Sequence, residues 1–120
     1  MTVSQLKGII GRRKLSFDRE IGFQEQIERA LNAAGISHVR EMPVPGGKLD
    51  FFLPACGTAL ELKTKGSGTA VCRQVMRYLE DPRVRGVIVV STKPMDMPMT
   101  ECSVGGEIKP IGILELWRNF

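Results

Sequence analysis

Histidine and cysteine are scarce in this sequence. Its 120 residues include one histidine, His38, and three cysteines, Cys56, Cys72 and Cys102. The cysteines are scattered and none lies in a CxxC pair. An odd, scattered set argues against a disulfide framework and against a zinc site. His38 has no obvious partner residue and is expected at the surface rather than in catalysis. No apolar run approaches the ~20 residues that a membrane span needs, and the N-terminus has no signal-peptide pattern. These absences point to a reducing, cytoplasmic setting. Repeats, low-complexity tracts and a second domain are also missing, and the length suits one domain. The net charge of +4 is mildly basic. It permits an anionic partner without requiring one.

What is present reads as alternating helices and strands. Thr2 to Ile10 places Val3, Leu6, Ile9 and Ile10 on one side of a short helix. The basic run Arg12-Arg13-Lys14 follows, either a solvated linker or an arm that contacts phosphate. A helix is expected from about Phe17 to Ala34, with Ser16 as N-cap and Gly35 as its C′ residue. At 100° per residue its core stripe holds Phe23, Ile27, Ala30, Leu31 and Ala34. Glu20 falls inside that stripe and Gln24 on its edge, whereas Glu25 and Glu28 should be solvated or marginal. An acid on an apolar face needs a partner. If the helix starts later, Glu20 instead sits in its first turn, at the positive end of the dipole. Ile36 to Val44 reads as a strand with an irregular exit at Pro43 and Pro45. A helix from about Thr69 to Glu80 buries Val71, Cys72, Val75, Met76 and Leu79. Gln74 and Tyr78 lie together along one edge of that stripe, and Arg73 and Arg77 lie further round. Gly86 to Ser91 is the most continuous apolar strand, expected to be central and parallel to a neighbour. A long loop over Thr92 to Gly106 carries three methionines that suit packing on the core. Ile108 to Trp117 supplies a last strand.

The stretch from Gly47 to Lys65 holds the polar residues of interest. Leu49–Leu53 and Thr58–Thr64 are strand-length apolar runs separated by the turn chemistry of Pro54-Ala55-Cys56-Gly57. A tight hairpin pairs residues whose numbers add to 111. That register places Asp50 opposite Glu61 on the face that also carries Lys63. Two facing carboxylates repel unless a cation lies between them. A hard divalent metal with oxygen ligands fits that need.

Asp50, then Glu61-Leu62-Lys63 on the next strand, within the order helix, strand, hairpin, helix, strand, resembles the PD-(D/E)XK nuclease superfamily. Leu49 stands where the family has its proline. The family's first-helix acid maps to Glu20 or to its neighbour Gln24. Gln74 and Tyr78 are similar to the QxxxY feature of the RecB- and λ-exonuclease-like branch. The resemblance covers roughly residues 16 to 91, and small phage and bacterial nucleases, resolvases among them, share it. It implies an α/β restriction-endonuclease-like core, a mixed central sheet flanked by helices, spanning the chain as one domain. It further implies metal-dependent hydrolysis of DNA phosphodiesters in the cytoplasm of a bacterium or a phage-infected cell. Asp50, Glu61 and the Leu62 carbonyl would hold Mg2+ or Mn2+. Lys63 would orient the attacking water, and Glu20 would complete the site. Gln74 and Tyr78 would support the site or contact the strand, and Gln24 would hold a water or a phosphate. Arg12, Arg13, Lys14, Lys65, Arg73 and Arg77 would contact DNA phosphates. A homodimer follows if both strands are cut symmetrically. The alternative is the same fold retained as a DNA- or protein-binding module with little or no catalysis.

Overall fold

A computed structural model describes residues 1–11 and 22–116. Six strands form one mixed sheet, flanked by three helices, in an α/β arrangement. In chain order the elements are α1 (Val3–Gly11), α2 (Phe23–Ala33), β1 (Val39–Val44), β2 (Gly47–Leu53), β3 (Thr58–Lys63), α3 (Gly68–Leu79), β4 (Gly86–Ser91), β5 (Glu101–Val104) and β6 (Glu107–Glu115). The spatial order is β1-β2-β3-β4-β6-β5. β4 is buried throughout and runs parallel to both β3 and β6, as its unbroken apolar sequence requires. Among the described residues no helix is long and apolar enough to cross a membrane.

Each face of the sheet carries its own core. Phe51, Leu53, Leu60, Ile88 and Val90 meet α1 and α2 on one side. Phe52, Ala59, Val87, Val89 and Ile111 meet α3 on the other. Burying one such aliphatic or aromatic side chain stabilises the fold by roughly 1.5–3 kcal/mol. Met95 is buried, and Met97 and Met99 pack against the α3-side core, so the methionines do line that core.

Local chemistry sets the helix ends. Thr2 and Gln5 form a capping box: the Gln5 N–H donates to Thr2 Oγ1 (3.1 Å) and the Thr2 N–H to Gln5 Oε1 (2.8 Å). Ser67 Oγ accepts from the Ala70 N–H (3.2 Å) and caps α3. Gly35, at φ +70°, ends α2 in a Schellman motif, in which Ile36 N–H bonds the Leu31 carbonyl and Gly35 N–H that of Asn32. The far end of α3 is held by Lys109, a buried ammonium whose Nζ donates to the carbonyls of Leu79 (2.7 Å) and Asp81 (3.3 Å).

Four expectations change. The second helix starts later than expected: Gly22 takes the N-cap position and α2 begins at Phe23. Ser16 and Glu20 lie outside the described residues. Ala34 and Met76, both placed on core stripes, are exposed, since each sits at the margin of its helix's buried face. The loop after β4 is shorter than expected, because Glu101–Val104 pairs with β6 as the edge strand β5. His38 is not a free surface residue. Its side chain is 9% exposed, its Nε2 lies 2.9 Å from Glu28 Oε2, and its Nδ1 lies 3.0 Å from the Ile36 carbonyl. Glu28 is therefore a partner in an ion-pair network and not simply a solvated acid.

Candidate active site

The hairpin takes the expected register. Phe51, Phe52 and Leu53 pair with Leu60, Ala59 and Thr58, and the N–H groups of Cys56 and Gly57 close the turn onto the Leu53 carbonyl. The ladder stops one step before Asp50 meets Glu61. There the Asp50 side chain replaces the backbone: its Oδ2 accepts the Leu62 N–H at 2.7 Å. On the other edge of β2 the ladder also skips Asp50. Arg40 pairs with Phe51 and Met42 with Leu49, while Glu41, between them, sits at φ +54°. A glutamate in the left-handed region costs on the order of 1–3 kcal/mol. Face alternation slips at the same point, because Leu49 and Phe52, three residues apart, share the α3-side core. The sheet is thus broken on both sides of one aspartate, and that break frees its carboxylate for a side-chain role.

Glu61 lies on β3, turned toward α3, and is only 5% exposed. Its Oε1 is 3.4 Å from Lys63 Nζ. Its Oε2 is buried with no hydrogen-bond partner among the described residues. Burial, reinforced by the Asp50 carboxylate beside it, pushes the Glu61 carboxyl up to about 8; Lys63 acts in the opposite sense. An unpartnered buried carboxyl oxygen is expensive. It is the feature a bound cation would relieve.

Tyr78 and Gln74 close the site from α3. Gln74 Nε2 donates to the Tyr78 hydroxyl (2.7 Å), which donates in turn to the Lys48 carbonyl (3.0 Å). Burial, then the charge of Glu61, pushes the phenol up to about 12, so it stays protonated. The pair works as a strut between α3 and β2, two residues before Asp50.

Asp50, Glu61, Leu62, Lys63, Gln74 and Tyr78 are therefore brought together. At Leu62 it is the N–H that meets Asp50. Lys65, Arg73 and Arg77 are exposed nearby on the β3–α3 connection and on α3. Arg12, Arg13 and Lys14, like Glu20, lie outside the described residues. Gln24 is engaged elsewhere: its Oε1 accepts from Arg40 Nη2 at 2.9 Å, while Arg40 Nη1 bonds Glu28 at 3.0 Å. Glu25 is exposed, as its helical phase requires. No cluster of three or more potential metal ligands occurs among the described residues, so Asp50 and Glu61 stand as a pair. Sequence reasoning passed over Lys48, Glu41 and Arg40, all close to the break at Asp50. The skipped ladder that makes them relevant leaves no local sequence signal. No family model, curated protein or solved structure matches the chain.

Proposed function

We propose that this protein is a metal-dependent nuclease of the PD-(D/E)XK type that hydrolyses phosphodiester bonds in DNA. One observation carries the reading: a buried Glu61 carboxyl with an unpartnered oxygen, set against Asp50 where the sheet breaks on both sides. Two carboxyl groups held this way, with one lysine beside them, have little structural use. It fits a hard divalent cation, Mg2+ or Mn2+, which needs few protein carboxylates and keeps several waters. When bound, that ion supplies charge neutralisation at the phosphoryl oxygens and a nucleophilic water near neutral pH.

The chain's own residues divide the remaining work. Asp50 and Glu61, with the Leu62 carbonyl, would hold the ion. The Lys63 ammonium, a donor and not a ligand, would orient the attacking water and offset developing negative charge. Gln74 and Tyr78 fix the strand that presents Asp50. Glu20 would add the third acid. A second reading, the same fold kept for binding with weak or no catalysis, draws on the presence of only two acids at the site among the described residues.

The test is calorimetric titration with Mg2+ and Mn2+, together with cleavage of linear, nicked and four-way-junction DNA. Metal binding that disappears in Glu61→Gln, together with metal-dependent cleavage, supports the nuclease. Binding of DNA without metal uptake or cleavage supports the second reading.

A further inference from the structure

The two edges of the sheet are built differently. β1 is guarded against a further strand: Pro43 lacks an N–H, and Glu41, at φ +54°, kinks the backbone. β5, Glu101-Cys102-Ser103-Val104, has no proline and no left-handed residue, and only Glu101 is charged. Its pairing with β6 decides which of its backbone groups face outward. Glu101 stands opposite Pro110, which has no N–H to give, and the next bond of the ladder runs from the Ile111 N–H to the Thr100 carbonyl at 2.8 Å. Antiparallel partners alternate between bonded and non-bonded pairs, so Cys102 and Val104 bond to β6, while Glu101 and Ser103 turn their N–H and C=O groups away from it. Among the described residues no strand takes up those groups, and Glu101 and Ser103 are both exposed. On the side facing α3, Cys102 and Val104 are partly buried and Met97 and Met99 pack on the same core, so this margin of the sheet is apolar.

We propose that β5 is a dimer edge, on which β5 of a second copy of this chain lies antiparallel about a two-fold axis at Cys102. The open backbone groups flank that residue evenly. Glu101 exchanges both hydrogen bonds with the partner's Ser103, and Ser103 does the same with the partner's Glu101. The one charge of the strand therefore opposes a neutral serine and never its own copy, so no like charges face each other. Cys102 meets the partner's Cys102 as a non-bonded pair, with Cα atoms about 4.5 Å apart, on the apolar face. The contact is isologous, so it closes as a dimer and continues the six strands of one copy into those of the other. An unrelated strand would satisfy the same backbone groups, but the placement of Glu101 and the apolar pair on the axis suit a second copy. The interface does not depend on the nuclease reading.

The test uses the full chain carrying Cys56→Ser, which removes the exposed thiol and leaves buried Cys72 and partly buried Cys102. Sedimentation from about 10 to 500 μM should show a monomer–dimer equilibrium. Oxidation with copper phenanthroline should trap the dimer through Cys102, since that Cα spacing is one a disulfide spans, and mass spectrometry of the linked peptides identifies the bond. Ser103→Pro removes an N–H that β6 does not use and should leave a monomer, folded by circular dichroism. Ser103→Glu sets an acid opposite the partner's Glu101 on both sides of the axis and should raise the dimer Kd roughly tenfold. Adding Glu101→Lys to it makes both pairs attractive and should restore the dimer, which a misfolded β5 would not allow. A chain that stays monomeric throughout overturns the proposal. So does a dimer that both Ser103 variants leave unchanged, one that links through another cysteine, or one that Ser103→Glu weakens and Glu101→Lys fails to restore.

Discussion

Replacing Glu61 by glutamine tests the centre of this reading through stability alone. Glutamine keeps the shape of the side chain and removes its charge. In the folded, metal-free protein the Glu61 carboxyl titrates at about 8, against 4.5 for an unperturbed glutamate. Its folded value is raised, so its contribution to stability is fully present below about 4.5 and is lost as pH rises through about 8. Each tenfold change in proton affinity between the folded and unfolded chain is worth about 1.4 kcal/mol, so the loss across that window is on the order of 3–5 kcal/mol. At roughly 3–5 °C per kcal/mol for a domain of this size, Tm should fall by on the order of 10 °C or more. Glu61→Gln should lose most of that pH dependence and melt above the wild type at pH 8. Melts by circular dichroism in EDTA, from pH 5 to pH 8.5, give both curves. Millimolar Mg2+ should raise the wild-type Tm at pH 8 and leave the variant unmoved, since ligands that bind only the folded state stabilise it. A wild-type Tm that is flat across the window refutes the reasoning. So does a variant less stable than wild type at pH 8. Either result would mean that Glu61 is satisfied where it sits.

Four further outcomes are expected. Lys63→Ala should lower turnover by about tenfold or more with metal affinity nearly intact, measured by calorimetry beside a cleavage assay. Tyr78→Phe strips the Lys48 carbonyl of its donor; it should cost about 1–2 kcal/mol in urea unfolding and slow cleavage through a displaced Asp50. Glu41→Gly relieves the left-handed residue opposite Asp50 and should raise the urea midpoint, by about 0.5–1 kcal/mol in stability. Gln24→Ala removes a bond to Arg40 and should cost about 1 kcal/mol with the cleavage rate retained.

The hairpin was readable because everything that shapes it is local. Two apolar runs, one turn and three polar exceptions fix its register, and the register fixes which faces meet. β4 was readable for the same reason. β5 was not, because its alternating, half-exposed four residues become a strand only by pairing with β6 across the Gly105-Gly106 turn. Lys109 reads as one more surface lysine until the carbonyls of Leu79 and Asp81, about thirty residues away in sequence, close over its ammonium.

The first acidic helix shows where periodicity stops being enough. A uniform helix from Phe17 would place Glu20 one turn before Gln24 and give both access to the site. α2 begins at Phe23, with Gly22 as its N-cap, and Glu20 lies outside the described residues. Gln24 is also taken, because Arg40 of β1 spans Gln24 and Glu28, and His38 holds the second oxygen of Glu28. Those three contacts clamp α2 to the edge strand, and Arg40 sits opposite Phe51, the neighbour of Asp50. An amide already bonded to a guanidinium is poorly placed to hold a water or a phosphate. The case for Glu20 therefore stands on its own charge, while Gln24 belongs to the clamp that keeps α2 against the strand pair carrying Asp50.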